Sequence, residues 1–185
     1  MALIDYSYFK GEVELPGLKA TRKYSDSEAV GMEQVMQTIG EKNFNYFINE
    51  YEPEFLIQLL GHTLYENFME GLREVPVPEI WTSLKERLTH SETDKISPIA
   101  YYVYQFTKES GRTKTTPSGE KRFNVSYTES VSDSDKMQRV TYRLNRIVKE
   151  FYCWLDENWV LYKPYANNQH SIRRFRPGIS NVFGV

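Results

Sequence analysis

The sequence predicts a mainly α fold, a bundle of about five helices with a protruding β-hairpin and extended terminal arms. Three observations lead to this fold class. Apolar residues recur at helical spacing over most of the chain, and Gly and Pro mark where the helical segments end. One stretch, residues 111–131, lacks that spacing and contains a Pro-Ser-Gly turn signal. A chain of 185 residues is most simply one domain, with a bundle over residues 25–161.

Residues 1–24 are predicted to form an N-terminal arm, either a short hairpin or an extended segment. Lys10-Gly11 is a plausible turn between two short apolar runs, and "LPGL" then stops any regular element.

Three helices are predicted from there to Gly71. Ser and Asp residues of "YSDSEAV" cap the first helix, and Gly40 ends it. The second covers Glu41–Glu50. Pro53 begins the third, because a proline in the first turn of a helix loses no hydrogen bond.

Two shorter helices follow. Pro78–His90 is amphipathic, whereas "SPIAYYVYQFTKES", closed by Gly111, is apolar nearly all round. A helix without a polar face is predicted to lie at the centre of the bundle.

Residues 111–131 are predicted to form the protruding β-hairpin. Phe123, Val125 and Tyr127 alternate with polar residues, which is the pattern of a strand. A long last helix then runs over Asp135–Leu161. Its predicted packing seam consists of Val140, Leu144, Ile147, Phe151, Trp154 and Asn158.

Residues 162–185 are predicted to form an extended, basic C-terminal tail, since no acid follows Glu157. The single cysteine, Cys153, lies inside the last helical pattern, where a buried small side chain is the preferred interpretation over a reactive thiol.

The sequence predicts neither an enzyme nor a cofactor or metal protein. The nucleotide-binding, nucleophile-elbow and zinc-protease motifs do not occur in it. His62 and Glu66 stand four residues apart on one helix face, but a metal site needs further ligands. Glu50, Glu52 and Glu54 are interpreted as acids of a helix start, where they favour the helix dipole.

Four basic residues recur at 3-4-3 spacing along one face of the last helix: Lys136, Arg139, Arg143 and Arg146. They form either an electropositive strip for phosphate or an acidic partner, or a solvated face paired with acids such as Glu66 and Glu70.

The candidate partner-binding residues lie in the hairpin and the tail, where cations stand beside aromatic rings. Exposed strands pair readily with other chains, and an extended peptide with apolar anchors suits a groove. The residues are Arg112, Lys114, Lys121, Arg122, Phe123, Tyr127, Arg173, Arg174, Phe175 and Arg176.

The order "INEYEPEFLIQLLGHTLYENFMEGL", "SPIAYYVYQF", "SGEKRFNVSYTES" and one long terminal helix resembles the head–tail connector (neck adaptor) proteins of tailed bacteriophages and prophages. The resemblance covers residues 44–160, and both the N-terminal arm and the basic tail are longer here. It implies a cofactor-free structural subunit of the virion neck. Such a subunit forms a homo-oligomeric ring between the portal protein and a tail or stopper protein, with DNA only as the contents of the channel. It implies the host cytoplasm during assembly, then the virion.

A second interpretation is a helical nucleic-acid-binding or regulatory protein that uses the basic face of the last helix and the arginines of the tail. The net charge of −2 is a point against it. No membrane association is expected, because no apolar run approaches the ~18 residues that cross a bilayer.

Overall fold

The computed structural model describes residues 2–15, 27–90, 94–111, 113–116, 119–122 and 133–166; at 27–43, 109–111, 113–116, 119–122 and 133–134 it describes the backbone alone. The chain is mainly helical, as predicted. The α-helices of these residues are α1 (Ser27–Leu60), α2 (His62–Gly71), α3 (Glu79–Thr89), α4 (Pro98–Gly111), α5 (Asp133–Glu157) and α6 (Trp159–Tyr162). Tyr6–Tyr8, Gly11–Val13 and Lys163–Ala166 form 3₁₀ turns.

Helix α4 is the central element, and this prediction is confirmed. It packs against α1, α3 and α5. Seven consecutive residues of it are buried, from Pro98 to Tyr104. Its start is also as predicted: the hydroxyl of Ser97 accepts a hydrogen bond from the Ile99 amide at 3.2 Å and donates one to the Leu88 carbonyl at 2.8 Å. One residue therefore caps α4 and ties it to the end of α3.

The prediction of three helices before Gly71 is wrong, because α1 is continuous through both Gly40 and Pro53. Apolar residues before and after Pro53, among them Ile48 and Phe55, are buried in the same core. Tertiary packing of this kind outweighs the single backbone hydrogen bond that a proline removes from a helix.

The real break is Gly61, between α1 and α2. Its amide donates to the Ile57 carbonyl at 2.9 Å, and its own carbonyl accepts from the Tyr65 amide at 3.0 Å. The residue has φ 79° and ψ 155°, a region open essentially to glycine alone. One residue thus ends α1 and starts α2.

The N-terminal segment, residues 2–15, is part of the core rather than a free arm. In place of the predicted strands it forms two 3₁₀ turns. Its buried side chains are Leu3, Ile4, Tyr8, Phe9 and Val13. The Phe9 ring meets Phe44 of α1 edge to face, with centroids 4.3 Å apart.

The last long helix follows the predicted seam and then departs from it. Val140, Leu144 and Phe151 are buried, while Ile147 and Trp154 are only half-buried. The buried row moves across to Val148, Tyr152 and Leu155, because a helix of 3.6 residues per turn drifts away from a 3.5-residue repeat.

Helix α5 ends at Glu157, four residues before the predicted end. The side-chain amide of Asn158 donates to the Trp154 carbonyl at 2.8 Å, and its backbone amide bonds the same carbonyl at 3.1 Å. Asn158 thus caps the last turn of α5 and is not the final seam residue.

Two short strands, β1 (Thr113–Thr116) and β2 (Gly119–Arg122), pair antiparallel, with Thr113 opposite Arg122. Phe123, Val125 and Tyr127, on which the predicted hairpin rested, lie outside the described residues. A protruding aromatic hairpin therefore stays a prediction, as does an extended tail, since the description ends at Ala166.

Candidate functional site

The predicted partner-binding residues fall mostly outside the described part of the chain. The backbones of Lys114, Lys121 and Arg122 lie in the two strands, where Lys114 is the register partner of Lys121. The remaining seven lie outside the described residues: Arg112, Phe123, Tyr127, Arg173, Arg174, Phe175 and Arg176.

The predicted basic strip lies on the surface of α5. Arg139 and Arg146 are exposed, and Lys136 and Arg143 are half-buried. Lys149, exposed one turn further on, extends the strip to about 20 Å at 1.5 Å per residue.

The ion pairs predicted for this strip from the sequence differ from the ion pairs in the structure. Arg146 pairs with Glu150 of its own helix, with Nε 3.1 Å from Oε1. Glu66, a predicted partner, instead lies 3.2 Å from His62. Both pairs are more than half exposed, and exposed pairs of this kind contribute about 0.5 kcal/mol or less to stability.

Three shallow surface depressions run end to end along the strip. The first and second share Glu12 and Arg139, and the second and third share Arg146. We call this continuous surface the basic groove. Its basic side chains are Arg87, Lys136, Arg139, Arg143, Arg146 and Lys149.

Arg87 comes to the groove from α3. Its Nη2 donates to the backbone carbonyl of Glu150 at 3.3 Å, which holds the guanidinium beside α5. The acids in the groove are Glu12, Glu150 and Glu157, so six cations face three carboxylates and the surface is net positive.

Glu12 and Arg143 are tied to the core through Tyr101. The Tyr101 hydroxyl lies 3.4 Å from Oε2 of Glu12. Burial raises the pKa of this phenol, and the nearby charge of Arg143 acts in the opposite direction. The N-terminal segment therefore supplies one wall of the groove.

Tyr142 stands in the middle of the groove, between Arg139 one turn before it and Arg146 one turn after it. Its side chain is 73% exposed. An aromatic ring so open to water, between two guanidinium groups, offers a stacking face to a ligand.

Glu52 is the one acid among the buried residues of the described chain, only 3% exposed. Its Oε1 accepts the Leu3 amide at 2.7 Å and its Oε2 the Ile4 amide at 3.3 Å. Burial raises its pKa to about 7, although the two amide bonds act the other way. The prediction that Glu52 belongs to a helix start is wrong, because α1 is continuous at this position.

A second surface feature is apolar. The loop before α3 exposes Val75 (96%) and Val77, and the last turns of the described chain expose Val160 (83%), Leu161 and Tyr165. We call these five residues the apolar junction. The last turns lie against α3, the helix that follows this loop: the Tyr165 ring packs on Trp81, with centroids 4.8 Å apart, and the Tyr162 hydroxyl donates to the Ile80 carbonyl at 3.1 Å.

The described ranges hold no group of three or more His, Cys, Asp or Glu side chains that could hold a metal ion. Cys153 is exposed and lines the third depression, so the prediction of a buried thiol is wrong. It lies on the solvent side of α5, next to the buried Tyr152.

From the sequence alone, Glu52 was misassigned to a helix start, and Arg87 and Tyr142 were missed. A signal existed for Glu52, because it stands four residues after Ile48 and four before Leu56, in an apolar row of a helix. No local signal pointed to Arg87, which reaches α5 from a different helix.

The comparisons with known proteins give no relative: no family model, no curated protein and no solved structure matches this chain. Within the described ranges, no helix is long and apolar enough to cross a membrane.

Proposed function

We propose that the chain is a structural subunit of a phage or prophage neck. It forms a homo-oligomeric ring that joins the portal protein to a tail or stopper protein and extends the DNA channel. It assembles in the host cytoplasm and remains in the virion, and it needs no cofactor. The observation that best supports the proposal is the apolar junction.

Single exposed apolar side chains are ordinary, whereas a group of them on adjoining segments is typical of an interaction surface. Covering a valine that is now almost wholly exposed, such as Val75 or Val160, gains about 1.5 kcal/mol or more. A closed ring needs one patch of each subunit to fit a different patch of its neighbour.

In this proposal the apolar junction contacts the next subunit, while the cations and rings of hairpin and tail contact the portal. The resemblance to neck adaptor proteins supplies the identity of those partners. The mainly helical fold agrees with it without deciding it.

The test is the native mass of the full chain, alone and with purified portal protein. We expect a ring, or a ring that forms on adding portal, and its loss in the double variant Val75→Ser/Val160→Ser. Both changed side chains are exposed, so the monomer stays folded, as circular dichroism will verify. A wild-type chain that is strictly monomeric with and without portal would overturn the proposal.

A further inference from the structure

We propose that the basic groove binds single-stranded nucleic acid, with the phosphates against the arginines and a base stacked on Tyr142. Binding at this surface is independent of ring assembly. It requires only the folded monomer.

Charge is the first argument. Six basic side chains against three acids give the groove a positive surface on a chain whose net charge is −2. A net negative protein repels a polyanion at long range, so binding is restricted to a surface where positive charge is concentrated.

Shape is the second argument. Five of the six cations follow one helix for about 20 Å, and neighbouring depressions along it share lining residues. A linear track of this length lies alongside several consecutive phosphates, whereas a compact anion would use only one part of it.

Preorganisation is the third argument. Arg87 is held beside α5 by the Glu150 carbonyl, which accepts from its Nη2 at 3.3 Å. Guanidinium groups fixed in this way lose less side-chain entropy when they form paired hydrogen bonds to a phosphate.

Tyr142 decides between single and double strands. Bases are hidden inside a duplex, but in a single strand each base offers a face that stacks on an aromatic ring. An exposed ring flanked by Arg139 and Arg146 joins stacking to phosphate contact at one point.

The experiment is fluorescence anisotropy of the full chain with a short labelled oligothymidine. With four phosphate contacts, the slope of log affinity against log salt is about −3, so affinity falls roughly 50-fold between 50 and 200 mM salt. Arg139→Ala/Arg146→Ala is expected to lower affinity about tenfold or more and to make the slope shallower by about 1.4.

Tyr142→Ala is expected to lower affinity about tenfold while leaving the salt slope unchanged, because the ring carries no charge. The matched control is Arg73→Ala/Lys163→Ala, which removes two exposed cations outside the groove and is expected to leave affinity within about twofold. Circular dichroism of every variant verifies folding.

Each of four results would overturn the proposal. The wild-type chain fails to bind at 50 mM salt; the control pair loses as much affinity as the groove pair; a duplex of the same length binds more tightly than oligothymidine; or polyglutamate competes as well as oligothymidine. The last result would identify an acidic protein as the ligand.

Discussion

Glu52 couples the stability of the fold to pH. Its pKa is about 7 in the folded chain against an ordinary 4.5, so the folded state binds the proton more tightly than the unfolded state. The stability that proton binding by Glu52 adds to the fold is therefore fully present below pH 4.5 and is lost as the pH rises through about 7. We expect the contribution of Glu52 to the free energy of unfolding to fall by up to about 3 kcal/mol across that window.

The measurement is urea unfolding at several pH values, comparing the wild-type chain with Glu52→Gln, which cannot titrate. The free energy of unfolding of the wild-type chain is expected to fall relative to that of Glu52→Gln as the pH rises from about 5 to 8. Glu50→Gln, an exposed acid two residues away, is the matched control, and its profile is expected to follow the wild type. A Glu52→Gln profile parallel to the wild type would show that this carboxylate keeps its ordinary pKa.

At the scale of elements, the junctions of α2 depend on two glycines for different reasons. Gly61 has a backbone conformation in which an L residue is strained, so Gly61→Ala is expected to destabilise by about 1–3 kcal/mol. At Gly71 a Cβ atom would collide with the Trp81 indole. Gly71→Ala is therefore expected to lower the free energy of unfolding by about 1–3 kcal/mol through overpacking.

Denaturant unfolding measures both losses, and near-ultraviolet circular dichroism separates their causes. Only Gly71→Ala is expected to change the tryptophan signal. Gly40→Ala is the contrast, because the backbone there is helical and alanine is expected to stabilise it by about 0.5–1 kcal/mol. A loss of stability at Gly40 would mean that this glycine has a role beyond its backbone.

The sequence predicted correctly those helices whose ends depend on residues close to them in the chain. The bounds of α3 and α4 follow from Pro78, Ser97 and their apolar spacing, and the structure agrees closely. The course of α1 through Pro53 could not be predicted, because it is decided by packing against α4. The N-terminal segment was misjudged for the same reason, since Leu3 finds its hydrogen-bond partner 49 residues away.

Only part of the candidate site could be predicted from the sequence. Spacing alone placed Lys136, Arg139, Arg143 and Arg146 on one face of one helix, because that follows from helical geometry. The spacing could not show that Arg87 joins them, or that Glu12 lies among them. Those contacts exist only once α3 and the N-terminal segment are packed against α5.

For the whole molecule, the apolar junction and the basic groove are separate surfaces with separate tests. We expect Val75→Ser/Val160→Ser to abolish assembly and to leave oligothymidine binding unchanged. We expect Tyr142→Ala to weaken oligothymidine binding about tenfold and to leave assembly unchanged. Each variant is therefore the control for the other in native mass and anisotropy measurements. A variant that abolished both activities would show that the two surfaces act as one.

The tie between Glu52 and the start of the chain has a consequence for amide exchange. Amides outside regular helices and strands ordinarily exchange with solvent within moments unless a hydrogen bond holds them. Leu3 and Ile4 donate to a buried carboxylate, so their amide hydrogens are expected to exchange with deuterium as slowly as those of a helix interior. Their exchange in Glu52→Ala is expected to be fast, which makes these two amides reporters on the second half of α1.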